Sequence, residues 1–511
     1  MTKTGFGFWN WVVLLAYLVA MLGVGAYFTK SASKSTDSFF KANGRIPAWA
    51  AGFSIWATTL SAITFMSTPE QSFLTDWGYS VGSFTIFLII PILIRYYVPF
   101  FRKLQVTTAY QYLEKRFGPV MRALGSGLFM LYHIGRVAIV IYLPILAITS
   151  VSNINPILIA VLVGAMCIIY AFLGGIEGVI WTDVIQGFLL LGSALLICGM
   201  AIFKTGGFGP VAHIAVSSHK FFSNADWNPA DLSKFIPIIF AGQFFNSMYQ
   251  YTGSQDVVQR YQTTPSMKAT AKSLWTNGWL ALITIPLFFG MGTLLFCFYH
   301  SKAALPGGFN TSAIVPYFVI KEIPAGLAGL IIAGILAAAQ STIASSLNAI
   351  SSCAITDFKQ RFFNNKFKNL SDVALARIVI VVSGLISLSV AIYLLLGNAA
   401  QTWNLFLSVT GLFGVPIAGI FAVGIFTKSA NRFSVVVGVI ISAAVTYYLQ
   451  TQGVATLVQP CVSFILAFLV SWIVGLMTPQ YSHDVTGLTA KTIKDAYNPT
   501  VDTEEVENAD A

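Results

Sequence analysis

Long apolar runs separated by short polar stretches repeat along this chain from near its start to about residue 477. A helix needs about 20 mostly apolar residues to cross the hydrocarbon of a bilayer. Thirteen runs qualify, near 8–28, 47–68, 79–99, 124–150, 154–173, 179–203, 236–252, 274–298, 326–353, 373–396, 402–426, 433–450 and 456–477. Strands of a membrane barrel would be about ten residues of alternating polarity, and these runs are neither short nor alternating. The pattern therefore predicts an all-α polytopic membrane protein. Lys3 before the first run resembles the start of a signal peptide. That run is too long for the apolar part of one and no A-x-A cleavage site directly follows it, so it is read as a helix.

Composition agrees with the pattern. Of the 511 residues 56% are hydrophobic and 9% charged, with mean hydropathy +0.75. A soluble domain carries about 25% charged residues, so this chain is not a string of soluble domains. Cys167, Cys198, Cys297, Cys353 and Cys461 lie in or beside apolar runs without CxxC or CxxH spacing, which argues against a disulfide framework or a zinc site.

An odd number of spans puts the two ends on opposite sides. With the C-terminus cytoplasmic, 22 of the 29 Lys and Arg residues fall on the inside and six outside, Arg136 being within a span. That split follows the positive-inside rule and predicts a multi-pass protein of the cell membrane, N-terminus outside and C-terminus cytoplasmic. It also explains much of the net charge of +10 without nucleic acid as a partner. The tail 499–511, with Glu504, Glu505, Glu507 and Asp510, reads as an acidic disordered end. The largest outside loop, 204–235, has the length for a short surface helix. No Walker A, HExxH or GxSxG sequence is present. An enzyme is not expected, and neither is a pump driven by its own nucleotide domain.

Candidate chemistry then lies in polar residues that hydrocarbon disfavours. A charge at the bilayer centre costs at least about 2.5–3.5 kcal/mol. Arg136, in YHIGRVAI, and Asp183, in GGIEGVIWTDVIQG, both fall inside spans. They either pair with each other, or serve as a bidentate clamp for an anion and a ligand for a cation. The second run holds Thr58, Thr59, Ser61 and Thr64 within seven residues, suiting a helix broken near the midplane, where freed carbonyls become ligands. The run at 326–353 places Ser341, Ser345, Asn348 and Ser352 on one helical face, with Thr342 beside it. Such small polar residues serve helix packing or bind a hard cation through oxygen. The amide- and aromatic-rich stretch GQFFNSMYQYTGSQDVVQRY is a second candidate broken helix.

These passages resemble the sodium:solute symporter family and, within it, the bacterial sodium–sialic acid symporters. The likeness runs from about Phe6 to Met477 and rests on WAAGFSIWATTLSAITFMS, YHIGRVAI, GGIEGVIWTDVIQG, SQDVVQRY and QSTIASSLNAISS. It implies a LeuT-type fold of two inverted five-helix repeats, at 47–203 and 236–426. The flanking units would be a first helix and cytoplasmic loop at 1–46, an extracellular loop at 204–235, two added helices in 427–477 and a cytoplasmic tail from 478 to 511. The resemblance also implies Na⁺-coupled import of sialic acid by alternating access, with Na⁺ as coupling ion and no other cofactor. By the same resemblance, one Na⁺ site would use carbonyls of Ala57, Leu60 and Ala338 with hydroxyls of Ser341 and Thr342. A second would use Asp183, Thr342 and Ser345. Arg136 would hold the substrate carboxylate, with Thr59, Ser61 and Thr64 hydrogen-bonding around it. Phe245, Asn246 and Ser247 would add lining from the second broken helix.

Two positions depart from the sialic acid group. Ala344 stands where relatives tend to have a serine, which removes a hydroxyl near the second site, and Ser83 stands where close relatives carry a glutamine, which enlarges the pocket. Energetics favour two ions. One Na⁺ with an anion keeps about 1.4 kcal/mol from a tenfold gradient, enough for about tenfold accumulation, whereas two Na⁺ across about 100 mV leave about 5.1 kcal/mol. The alternatives are a Na⁺ symporter of another carboxylate such as proline or pantothenate, and a channel or membrane sensor. The sequence carries neither a signalling domain nor a continuous polar lining. A monomer is sufficient for such a site, and the pattern sets no oligomeric state.

Overall fold

The computed structural model describes residues 5–104, 106–223, 226–363, 370–396, 412, 414–479 and 484–492. Apart from one isolated bridge between Asp226 and Phe235, the regular structure among the described residues is helical. Helix α1 spans Phe8–Ala32, α2 Ala48–Thr59 and α3 Ala62–Leu74. Next come α4, Gly78–Lys103, then α5, Tyr110–Phe117, and α6, Pro119–Val151. Helix α7 covers Pro156–Thr205, α8 Ile236–Thr252, α9 Gln255–Tyr261 and α10 Met267–Ser301. The chain continues with α11, Leu327–Cys353, and α12, Asp372–Leu396, and then α13, Val415–Phe426, α14, Arg432–Thr451, and α15, Val458–Met477. A short helix, Phe208–Ser217, occupies the long loop. The acidic tail and the start of the expected 402–426 span lie outside the described residues.

Among the described residues nine helices are long and apolar enough to cross a bilayer, ten if the bent pair α2–α3 is one span. The expected spans 154–173 and 179–203 are both in α7, a ladder of 50 residues with no loop. Their joint is Gly175 at φ 54° and ψ −157°, a conformation open to glycine because it lacks a Cβ. A Cβ there would meet the Phe39 carbonyl at 3.0 Å. Helices α8 and α13, with 17 and 12 residues, supply the remaining expected segments.

Two spans are interrupted. Helices α2 and α3 meet at 63° because Leu60 and Ser61 are extended, with ψ 95° and 168°. No proline sits at the break; Pro69 lies further along α3. Helix α8 stops at Thr252, its last turn closed by the Gly253 and Ser254 amides donating to the Tyr249 carbonyl, and α9 restarts at Gln255. Burial separates the layers. In α11 89% of the hydrophobic window is buried, against 28% in α1 and 33% in α12, α14 and α15. A helix apolar and buried all round is a core element, so α11 is the central post, packed by α1, α6, α7 and α12.

Close packing of α2 against α10 depends on Gly52, two turns before the break. A Cβ at Gly52 would stand 2.3 Å from the Ser273 carbonyl oxygen, and backbone cannot yield as a side chain does. Gly52→Ala is expected to destabilise the protein by about 1–3 kcal/mol, the range for overpacking. Gly192→Ala, which meets nothing within 4 Å, should leave stability unchanged. Thermal unfolding of both variants in detergent, with equal melting temperatures, would contradict the crossing.

Candidate functional site

The end of α2 makes the first cluster. Carbonyls of a helix's last turn have no intrahelical donor and carry the negative end of its dipole. Here the Ser341 hydroxyl donates to Ala57 O at 3.0 Å and Thr342 Oγ1 to Thr58 O at 3.2 Å. Both hydroxyls also approach the carbonyl of Ala338, at 3.2 and 3.4 Å. Leu60 is the residue at the break and, like Ala57, Ala338, Ser341 and Thr342, is buried. The cluster is neutral, buried and rich in oxygen, the donor set that suits a hard cation.

Asp183 forms the second cluster. Its Oδ2 accepts from Ser54 Oγ at 2.5 Å, Arg260 Nη2 at 2.8 Å, Thr58 Oγ1 at 3.3 Å and Ser345 Oγ at 3.4 Å. The other oxygen, Oδ1, is buried with no protein partner. Thr342 turns instead to the Thr58 carbonyl. Arg260, counted in sequence as a cytoplasmic loop residue, is fully buried. It donates to Ser54 and Ser345 as well as to Asp183. An acid and a base at i and i+4 near the end of an apolar run look like the run's polar boundary. Folding α9 back into the core makes them interior.

Arg136 does not pair with Asp183. Its Nη1 stands 3.1 Å from Asp256 Oδ2 and its Nη2 3.5 Å from the Thr58 carbonyl, with 4% of the residue exposed. Asp256 also accepts from the Ser254 hydroxyl and the Val257 amide. His133 bonds to Ser346 and Ser254 hydroxyls at 2.9 and 3.2 Å, with its ring 4.0 Å from Asp256. Asp256, Arg260 and His133 were not singled out in sequence, although SQDVVQRY and YHIGRVAI contain them.

A cavity of about 230 Å³ lies beside the α2–α3 break. Thr59, Thr64, Ser83, Asn246 and Ser247 line it. Ser61 is buried at the break, while Phe245 packs on Phe464 with ring centroids 4.7 Å apart; neither they nor Arg136 line the cavity. Helix α8 presents Gln243, Asn246, Ser247 and Gln250 to it, a 3-1-3 spacing that is one helical face. Continuing that period through the sequence would have found both glutamines. Among the described residues no Asp, Glu, Lys or Arg lines the cavity. The arrangement fits a ligand rich in hydroxyl and amide groups.

Known proteins resemble this chain in family and in fold. The sodium:solute symporter family matches residues 39–442. The sodium/sialic acid symporter SiaT of Proteus mirabilis is 47% identical over 86% of this chain and 88% of its own. The sodium/sialic acid symporter NanT of Aliivibrio fischeri is 44% identical over 88% of this chain and 89% of its own. A solved Na⁺-coupled sialic acid symporter, in a substrate-bound outward-open state, superposes with a TM-score of 0.86 at 43% identity, covering 92% of this chain and 98% of that one. The nucleobase–cation symporter Mhp1, at 12% identity, has a TM-score of 0.55 over 87% of this chain and 95% of that one, a likeness of fold alone. The fold is thus the LeuT type, and the chain belongs to the sodium:solute symporter family.

Proposed function

We propose that this protein carries sialic acid into the cell with Na⁺ by alternating access across the plasma membrane. The observation that carries the reading is an uncharged, hydroxyl- and amide-lined cavity at a helix break, with a buried guanidinium touching the next residue, Thr58. A sugar acid matches it: hydroxyls and an amide for the cavity, a carboxylate for Arg136. Relatives named for this substrate, at 47% and 44% identity, support it further. Proline or pantothenate would leave more of the polar lining unpaired.

In this reading Arg136 takes the carboxylate from beside the cavity, and Thr59, Thr64, Ser83, Asn246 and Ser247 line the sugar site, while Ser61 at the break and Phe245 on Phe464 stay outside the lining. One Na⁺ binds Ala57, Leu60, Ala338, Ser341 and Thr342. A second binds at Asp183 with Ser345 and Thr342, and the partnerless Asp183 Oδ1 supports a cation there. The repeats 47–203 and 236–426 are supported by the position of the breaks: α2–α3 opens the first and α8–α9 the second. Interrupted helices at corresponding positions mark binding sites in inverted-repeat transporters. The excess of Lys and Arg in alternate loops supports an N-terminus outside and a C-terminus in the cytoplasm.

Labelled N-acetylneuraminate should accumulate in proteoliposomes with Na⁺ outside and not with K⁺; equal uptake in both would reject Na⁺ coupling. Arg136→Ala is expected to weaken sugar binding at least about 30-fold by calorimetry, the lower end for truncating a buried charge partner. Arg136→Lys should rescue little, because the two-pronged donor is lost. Ser341→Ala and Thr342→Ala should each raise the Na⁺ concentration for half-maximal uptake about two- to tenfold, as expected for one lost oxygen contact. An unchanged Na⁺ curve in both variants would remove that site. With two Na⁺ per anion, each sugar carries one net positive charge inward, and electroneutral uptake would rule out the second ion.

A further inference from the structure

We propose that Asp256 makes anion binding depend on a cation, by holding a buried charge network at neutrality while the sites are empty. The inference rests on the assignments above of the substrate carboxylate to Arg136 and of a second Na⁺ to Asp183. Helix α9 carries Asp256 and Arg260 one turn apart. Asp256 faces Arg136 at 3.1 Å, and Arg260 faces Asp183 at 2.8 Å. Arg260 also donates from Nη1 to the backbone carbonyl of Asp256, so one short helix ties the two pairs into one unit. The four side chains are at most 5% exposed. Two guanidiniums and two carboxylates sum to zero.

A substrate carboxylate arriving at Arg136 competes with Asp256 for the guanidinium and leaves the network with one excess negative charge. An uncompensated charge away from water is strongly unfavourable. A cation on the partnerless Oδ1 of Asp183 cancels it. Each ligand therefore favours the other, and by linkage the two effects are equal. Thr58 lies between the sites. Its carbonyl accepts from Thr342 and approaches Arg136, while its hydroxyl contacts Asp183 and Ser345. The substrate and ion assignments concern groups that touch ligand; Asp256 acts through Arg136, as a positioning residue.

The sign of the effect separates this role from a merely structural one. Asp256→Asn gives the empty network one excess positive charge, which the substrate carboxylate alone would neutralise. Binding without Na⁺ should then strengthen. Loss of a structural contact would weaken binding at every Na⁺ concentration.

The test is calorimetric titration of the full-length protein in nanodiscs with N-acetylneuraminate, in NaCl and in choline chloride of equal ionic strength. The unmodified protein is expected to lose affinity about tenfold or more on removing Na⁺, within the usual range of coupling. In Asp256→Asn that ratio should fall about threefold or more, through tighter binding in choline, leaving the part that belongs to the first Na⁺ site, and Asp256→Glu should restore it. If Asp256→Asn yields too little folded protein, Ser254→Ala serves instead. It withdraws a hydrogen bond from Asp256 while keeping its charge, and should retain the Na⁺ dependence. Equal weakening of Asp256→Asn in both salts, a Glu variant that behaves like Asn, or loss of Na⁺ dependence in Ser254→Ala overturns the role of Asp256. Absence of Na⁺-dependent binding in the unmodified protein overturns the proposed function itself.

Discussion

A helix that stops inside a bilayer leaves carbonyls that hydrocarbon cannot hydrogen-bond. The rest of this structure is arranged around that deficit at the end of α2. Each unpaired backbone group at such depth costs several kcal/mol, so a break persists only beside groups that answer it. Ser341 and Thr342 do so from α11 by donating to Ala57 and Thr58. That requirement explains why α11, the most buried of the candidate spans among the described residues, is also rich in serine and threonine. Hydroxyl hydrogen atoms satisfy the carbonyls while the site is empty. The same oxygens are of the donor type that the proposed Na⁺ site requires.

A second constraint is electrical. Arg136, Asp183, Asp256 and Arg260 are buried as opposite pairs, since an isolated charge in the membrane interior would be severely destabilising. The hydroxyls of Ser54, Ser254 and Ser345 fill remaining hydrogen-bonding positions around them. The wall of the cavity, by contrast, carries no formal charge. The two environments are thus separate: amides and hydroxyls face the cavity, and the charged groups are buried at the helix breaks. Close packing at Gly52 holds the broken span against α10, because backbone there approaches backbone more closely than a side chain permits.

The helical membrane architecture was legible in the sequence because hydrophobic run length is a local property. The break in the second span was legible as well, from hydroxyl residues clustered where an uninterrupted helix would have been apolar. Ser341 and Ser345 could be placed on one face of α11 from their spacing alone. The absence of a loop at Gly175 could not be read in the same way, since glycine permits a positive φ without requiring one.

Partner choice among the charges depended on tertiary structure. Arg136 and Asp183 were the two conspicuous ionisable residues in long apolar runs, so pairing them was the simplest local reading. Each instead has its partner on α9, a seven-residue helix at the end of an apolar run, where Asp256 and Arg260 resembled a polar boundary. Run length and composition determine that a segment enters the membrane, because transfer free energy adds residue by residue. Which charge meets which is decided by the direction in which α9 turns after Gly253, and that direction is set by contacts with α2, α7 and α11 from distant parts of the chain.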